Sequence, residues 1–477
     1  MPSASCTLLM RIGSSARFRR VYRWPVCQSG SPAMSPPPKP RWTDYADFSK
    51  MAAQLFSATN RRPAALMSAS ANHQVLNAFV RARWLAVTLR SRRSLRAHQD
   101  QGLTRWCDHV RESFPHHDPD TLTMSKPALM ANFSAYNQER LSADEVRLSL
   151  ASGRVHPDVS CGTSTGTSGN RGLYVISDAE RYQWLGTILA KALPDVWRRR
   201  HRVAVILPQN SALYQAGNQS RWLQVQFYDL RDGPEQWADQ LVAFAPTALV
   251  APPKVLRWLA ENADRQHLKP QRIFSAAETL EAPDRRVIEA AFGRQLGQIY
   301  MATEGLLGVS CRHGTLHLTE DFVKFDFEWV TNTLATPIIT DFSRRYQLMA
   351  RYPMNDLLHL QDEPCRCGSP LQAVREVVGR QDDVFWFGTT MVTPDILRNA
   401  VLNADPTIDD FRVQQRPDET LLLCLPDSLG DAVRTSALNG LSAALERRGV
   451  RVNIVPTRLE TDDLFTRKLR RVERLRG

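Results

Sequence analysis

Apolar positions along the chain follow two rhythms. In QVLNAFVRARWLAVTL, Val75, Leu76, Phe79, Trp84, Leu85 and Leu89 recur at a spacing near 3.6 residues and share one face, which predicts an amphipathic helix. It belongs to a helical lead-in running from Trp42 to about Leu150. Beyond it, short apolar β-rich runs alternate with helical ones. Strands are predicted at 203–208, 223–230, 247–253, 272–279 and 297–305, with helices near 212–221, 234–244, 254–264 and 283–293. Such alternation predicts an α/β fold, a mainly parallel sheet with both faces covered. After 305 the rhythm turns hairpin-like in GTLHLTEDFVKFDFEWV and TPIITDF, which predicts an antiparallel β-subdomain. A last α+β block follows VGRQDD (378–383), with strands near 384–387, 411–415, 420–425 and 451–455 around two helices.

Length and charge refine this picture. A chain of 477 residues exceeds what one core usually serves. It is expected to divide into a leader (1–40), a large N-terminal domain (41–380) and a small C-terminal α+β domain (381–477). The net charge of +12 is concentrated at one end. Arg11, Arg17, Arg19, Arg20, Arg23, Lys39 and Arg41 supply 7 of it with no acidic residue among positions 1–43, leaving about +5 for the rest. That distribution argues against a nucleic-acid partner. The leader, ending in SPPPKP, reads as disordered. It has the composition of an organelle transit peptide or, the favoured reading, of an over-extended start with Met34 as initiator. Arg467–Arg476 read as a basic tail. No apolar run nears the roughly 18 residues that a membrane span requires. The 8 unevenly spaced cysteines suit a reducing cytoplasm better than a disulfide framework.

Candidate chemistry begins with SCGTSTGTSGNRG (160–172), then LYVISDAERYQWLGTILAKAL. A loop so rich in Gly, Ser and Thr between a strand and a helix offers open backbone N–H groups and hydroxyls to a polyphosphate. It is neither a Walker loop nor a dinucleotide fingerprint, and its composition also suits a flexible linker. The sulfur and imidazole groups form a second constellation. Cys311 and His317 are spaced C-x5-H, and Cys365 and Cys367 are spaced C-x-C. Three thiolates and one imidazole suit a closed, structural Zn²⁺ site. His313 is a rival ligand, and scattered reduced cysteines are the alternative.

The motifs together carry a family resemblance. STGTSGNRG resembles the phosphate loop of the acyl-adenylate-forming enzymes, the superfamily of acyl-CoA synthetases, peptide-synthetase adenylation domains and luciferases. SAAET (275–279), YMATEG (300–305), RYPMNDLL (351–358), VGRQDD (378–383) and TRKLRRV (466–472) resemble its further motifs in the same order. Within it the chain is most similar to the phenylacetate-CoA ligase branch, and there to adenylate-forming proteins akin to synthetases that adenylylate a deazaflavin coenzyme. HLTED (317–321) and CRCG (365–368) carry that finer likeness, and the resemblance spans roughly residues 60 to 477.

The resemblance implies roles. Ser164, Thr165, Gly166, Thr167, Ser168 and Gly169 would hold the β and γ phosphates of ATP, with Arg171 near the place of the family's lysine. Thr303 would lie near the α-phosphate and Glu304 would hold Mg²⁺. Tyr300 would stack on adenine, Asp356 would accept both ribose hydroxyls, and Glu278 would line the nucleotide or acyl pocket. Lys468 would stabilise charge in the transition state. Arg380 with Asp382 or Asp383 would form the hinge of the lid. The implied activity is adenylation of a small carboxylic acid by ATP and transfer of the acyl group to coenzyme A or a carrier-protein thiol. AMP transfer to a non-carboxylate acceptor and a catalytically silent nucleotide-binding scaffold are the competing functions. Aromatic Tyr214, Trp222, Phe227 and Phe274 are candidates for the acid pocket, an aryl acid is weakly preferred, and a homodimer is possible.

Overall fold

The computed structural model describes residues 69–152, 159–163, 172–207, 223–262, 267–459 and 470–475, all within one unit running from Pro40 to Gly477. The leader, the phosphate-loop residues Ser164–Gly169 and Arg171, the helix expected at 212–221 with Tyr214, Trp222, and Lys468 lie outside the described residues.

After the lead-in helices the first strands form a short antiparallel hairpin, β1 (Val159–Thr163) with β2 (Leu173–Ser177). The Gly/Ser/Thr-rich segment therefore joins two strands, with Thr163 opposite Leu173, rather than a strand and a helix. The helix Asp178–Ala192 begins only after β2, capped by Ser177 and Glu180, each accepting from the other's backbone N–H.

The main sheet has 12 strands. Its parallel part is β3 (His201–Leu207), β4 (Leu223–Asp229), β5 (Ala248–Ala251), β6 (Arg272–Ala276) and β7 (Leu296–Ala302), in spatial order 4-3-5-6-7. The sequence explains why these strands are central. In β3, Ala204 and Ile206 pack with helices Pro234–Phe244, Pro253–Asn262 and Ala282–Phe292 on one face. Val203 and Val205 pack on the other face, where Ile188, Leu189 and Ala192 of helix Asp178–Ala192 lie. A strand buried on both faces has no need of alternating polarity.

The chain then reverses. β8 (Gly305–Ser310) runs antiparallel to β7, followed by β9 (Leu316–Leu318), β10 (Val323–Trp329), β11 (Leu334–Asp341), β12 (Tyr352–Pro353), β13 (Asp356–Leu360) and β14 (Ala373–Arg380). The expected antiparallel β-subdomain is not a separate sheet: β8 pairs directly with β7, so both halves form one continuous sheet.

Beyond Arg380, β15 (Phe385–Phe387) and β16 (Thr390–Val392) form a hairpin. β17 (Arg412–Gln415), β18 (Leu421–Leu425), β19 (Ile454–Arg458) and β20 (Val472–Arg474) form a sheet in the order 19-18-17-20. Helices Pro394–Leu402 and Asp431–Glu446 share with it a core that includes Phe385, Leu397, Phe411, Leu423 and Leu441. β16 and β20 were not expected. The basic run at the end is not simply a tail, since Val472–Arg474 pair in parallel with β17 and Arg471 is buried.

Helix Ala69–Thr88 packs against helix Asp178–Ala192 so closely that a Cβ on Gly186 would lie 2.4 Å from the Val75 carbonyl oxygen. Its buried face carries Ala78, Phe79, Ala82 and Leu85, and Leu89 just beyond the helix is buried too. Trp84, expected on that face, is 45% exposed: it lies two positions past Ala82 and one before Leu85, about 200° and about 100° around the helix from them at 100° per residue, which turns it away from the buried stripe. Among the described residues no helix is long and apolar enough to cross a membrane.

Candidate active site

The candidate site is built around the turn between β7 and β8, at the carboxyl edge of the parallel strands. Thr303 and Glu304 are the two residues of the turn between β7 and β8, since Ala302 and Gly305 are paired. The turn lies where the sheet changes from parallel to antiparallel. The Thr303 hydroxyl donates to Glu304 Oε2 (2.7 Å). The Tyr352 phenol also hydrogen-bonds Glu304, and burial, with that carboxylate beside it, holds the phenol well above its ordinary value. Thr303, Glu304 and Tyr352 line one cavity with Gly172, at the end of the Gly/Ser/Thr-rich segment, and Tyr174 of β2.

Arg344 fixes this turn. Fully buried, it donates through Nη1 to the Glu304 carbonyl (3.1 Å) and through Nη2 to the Val175 carbonyl (2.8 Å) and Gln347 Oε1 (2.7 Å). One guanidinium thus ties the Thr303–Glu304 turn to β2, the strand that follows the Gly/Ser/Thr-rich segment. Beside it, Asp341 accepts from the backbone N–H and hydroxyl of Ser343 and the N–H of Arg344. Burial pushes the Asp341 carboxyl up to about 6, against those hydrogen bonds and the Arg344 charge.

Tyr300 and Asp356 meet directly, the phenol donating to Asp356 Oδ2 (2.5 Å). Burial raises the phenol's pKa, with the Asp356 charge adding to it. One of the two carboxylate oxygens expected to receive ribose is thus already engaged by Tyr300. Asp356 faces Arg380 across the β13–β14 ladder, so the first of the expected hinge residues lies beside it. The residues after it are held from the same loop: Asn355 accepts from Gln381 N–H through its carbonyl (2.7 Å) and from Asp382 N–H through Oδ1 (3.2 Å). Asp383 is buried and paired with Arg470. Burial raises its carboxyl pKa, with Arg470 opposing.

Glu278 lies two residues beyond β6 and pairs with Lys254 (3.2 Å) at the start of the helix beyond β5. Ala277 before it has φ +67, a left-handed conformation costly for a side chain bearing Cβ. Among the expected residues, the structure therefore brings Tyr300, Asp356 and Arg380 into one ladder region and Thr303 and Glu304 into one turn. Glu278, just beyond β6, is separated from the β13–β14 ladder by β7, β8 and β9 in the sheet.

The residues after Arg380 are locked to the large sheet by ion pairs. Arg471 donates to Glu281 Oε2 (2.6 Å), Asp284 Oδ2 (3.0 Å) and the Asp409 carbonyl (2.8 Å). Arg257 bridges Asp284 (3.1 Å) and Asp409 (2.9 Å). Burial works against the Arg471 charge, but Glu281 and Asp284 outweigh it and leave the pKa raised. Arg398 reaches back to Glu376 and the Val378 carbonyl.

The soft-ligand cluster assembles as expected. One ligand atom each from Cys311, His317, Cys365 and Cys367 lies within 4.8 Å of every other. Zn–S near 2.3 Å and Zn–N near 2.0 Å in a tetrahedron imply separations of about 3.8 Å for S···S and about 3.5 Å for S···N. Cys311 and Cys365 sulfurs are 3.9 Å apart, and Cys367 Sγ is 3.4 Å from His317 Nε2. The other ring nitrogen, Nδ1, lies 3.0 Å from the Leu371 carbonyl, which fixes the ring with Nε2 towards the sulfurs. Backbone N–H groups of His313 and Ser369 donate to the Cys311 and Cys367 sulfurs (3.4 Å each). The donor set and spacing fit Zn²⁺. His313 is not in the group and its Nε2 accepts from Arg312 instead.

Motif spacing alone does not find Arg344, Tyr352 or Arg471. The available signals are charge inside an otherwise apolar stretch, DFSRRYQLMARY, and a tyrosine four residues before Asp356.

No protein-family model matches the sequence, and no curated protein matches it. Solved structures do match in fold. A 2-hydroxyisobutyryl-CoA ligase in the postadenylation state, in complex with R3-HIB-AMP, superposes with a TM-score of 0.59 at 15% identity, covering 81% of this chain and 90% of its own. The same ligase with 2-HIB-AMP gives 0.58 at 16% identity, covering 87% and 94%. An open conformation with 2-HIB-AMP and CoA gives 0.50 at 15%, covering 88% and 96%. Over most of its length, the chain has the fold of AMP-forming acyl-CoA ligases.

Proposed function

We propose that the protein is an AMP-forming ligase that adenylates a small carboxylic acid with ATP and passes the acyl group to a thiol, coenzyme A or that of a carrier protein. The observation that carries this reading is the convergence of Tyr300 on Asp356 and of Tyr352 on Glu304, either side of the point where the sheet changes direction. Ligands of open α/β sheets bind outside the carboxyl ends of the strands. A fold shared with a ligase captured with its acyl-AMP supports the same reading.

In this scheme a carboxylate oxygen of the acid attacks the α-phosphorus of ATP, the bond to the bridging oxygen breaks, and pyrophosphate leaves with the electron pair. Positioning and charge neutralisation carry most of the catalysis. Asp356 and Tyr300 hold the ribose and adenine ends, with Arg380 across the ladder. Thr303 faces the α-phosphate, and Glu304, kept in place by Tyr352 and by Arg344 on its carbonyl, is the carboxylate for Mg²⁺. Bound Mg²⁺ supplies neutralisation of phosphate charge. Ser164–Gly169 cradle the outer phosphates, and Lys468 neutralises charge at the reacting centre. Residues 41–380 act as the adenylating domain and 381–477 as a lid turning about Arg380–Asp383. Cys311, His317, Cys365 and Cys367 hold a structural Zn²⁺, in keeping with the phenylacetate-CoA ligase-like branch.

ATP–pyrophosphate exchange against aryl, fatty, hydroxy and amino acids with Mg²⁺ tests the reading. Exchange that requires one class of acid is expected. ATP binding without exchange for any acid would overturn carboxylate adenylation in favour of AMP transfer to another acceptor.

A further inference from the structure

The carboxyl ends of β5, β6 and β7 lie side by side, with Ala251 paired to Ser275 and Ala276 paired to Ile299. Just beyond them come Lys254, Glu278 and the Thr303–Glu304 turn. Lys254 and Glu278 are unusual in their setting. Their side chains are 6% and 4% exposed and 3.2 Å apart. A buried pair of this kind commonly loses more by desolvation than its attraction returns, and apolar residues of similar size would pack as well. The helix Pro253–Asn262 buries Val255, Leu256 and Leu259 beside it.

Three further local penalties fall at the same place. Lys254 puts a cation in the first turn of its helix, against the helix dipole. Ala277, next to Glu278, holds φ +67. Among the described residues, the buried Ser275 hydroxyl finds no hydrogen-bond partner. Departures from local rules that gather at one ligand-binding edge mark a site rather than a scaffold.

We propose that the Lys254–Glu278 pair reads a hydroxyl group on the acid, so that the substrate is a hydroxy acid. The inference rests on the adenylation reading above and names the substrate class for that site. The pair is electrically neutral and offers both donors and acceptors. A hydroxyl can accept from the ammonium and donate to the carboxylate without adding charge. A second carboxylate would set two anions around one ammonium, and an amine would set two cations against one carboxylate, each in a space with little water to screen it. A plain alkyl or aryl acid would desolvate the pair further and return no hydrogen bond.

The test compares a series of hydroxy acids with their deoxy, dicarboxylic and amino counterparts of the same carbon skeleton. Exchange gives kcat/KM, and equilibrium dialysis of labelled acid gives binding without turnover. The wild type should favour a hydroxy acid over its deoxy partner by about 10–100-fold, the range of one buried charge-assisted hydrogen bond. In Lys254→Met that ratio should fall towards 1. A double variant, Lys254→Met with Glu278→Gln, removes the charge left behind should the single variant fail to fold, and the same collapse is expected. An unchanged ratio in the folded variants, or a wild type that prefers deoxy, dicarboxylic or amino acids, overturns the proposal while leaving adenylation standing. A hydroxy acid that binds in a Lys254-dependent way without exchange upholds the pair and removes the adenylation reading. No hydroxy acid binding at all overturns the pair.

Discussion

Arg471 is the most heavily committed charge between the residues after Arg380 and the large sheet, and Arg471→Met isolates its contribution. Methionine keeps much of the side chain's reach and removes the guanidinium. Glu281 then loses its 2.6 Å partner, Asp284 keeps Arg257 at 3.1 Å, and the Asp409 carbonyl loses one donor. Breaking a buried pair from one side costs about 3–5 kcal/mol, mostly the penalty of the carboxylate left behind. At a urea m-value of about 2.5 kcal/mol/M, the midpoint should fall by about 1–2 M. The deficit should depend on pH. Burial already raises the pKa of Glu281, against the lowering by Arg471, and removing Arg471 raises it further. A carboxyl raised in the folded state favours folding when protonated, and that contribution is lost as pH rises through its folded value. The wild-type and variant midpoints should therefore approach each other on going from pH 8 towards pH 5. A midpoint within 0.3 M of wild type (~0.75 kcal/mol at that m-value), or a deficit equal at both pH values, would refute the assignment of Arg471 as the electrostatic lock.

Metal analysis of purified protein should find zinc at about one per chain, and Cys365→Ser should lower thermal stability, whereas metal-free protein with an unchanged melting temperature would remove the zinc reading. Lys468→Ala should abolish acyl-AMP formation while ATP binding, followed by dialysis, stays close to wild type. Equal loss of both would make the lysine structural.

The pattern of apolar residues made the parallel half legible. Strands buried on both faces appear as unbroken runs such as VAVILP, and the helices between them have a clear period, so helix Pro234–Phe244 is where it was expected. The union of both halves into one sheet was not legible. It depends on pairing between β7 and β8, and β8, GLLGVS, is buried along its whole length, so it carries no alternation that would mark its direction or its partner. The C-terminal ladder was partly hidden for a similar reason. β20 is three residues, Val-Glu-Arg, whose strand character comes from its partner β17 and not from its own propensity. Within the site, residues carried by motif spacing were visible: Tyr300 and Asp356 meet although 56 positions apart. Residues that act by holding others in place, such as Arg344 and Tyr352, have no spacing rule, because their partners come from other strands.

Under the proposed function, the pairing of Asp356 with Arg380 bears on how the arrival of a nucleotide is sensed. In sequence these residues are 24 positions apart, yet in the β13–β14 ladder they are opposite one another, and Asn355 beside the first holds the backbone of Gln381 and Asp382 just beyond the second. On the proposed function, a ribose that displaces Asp356 and a rotation of the residues after Arg380 move the same few peptide groups, so that occupancy and orientation become one mechanical event with no relay through the intervening protein.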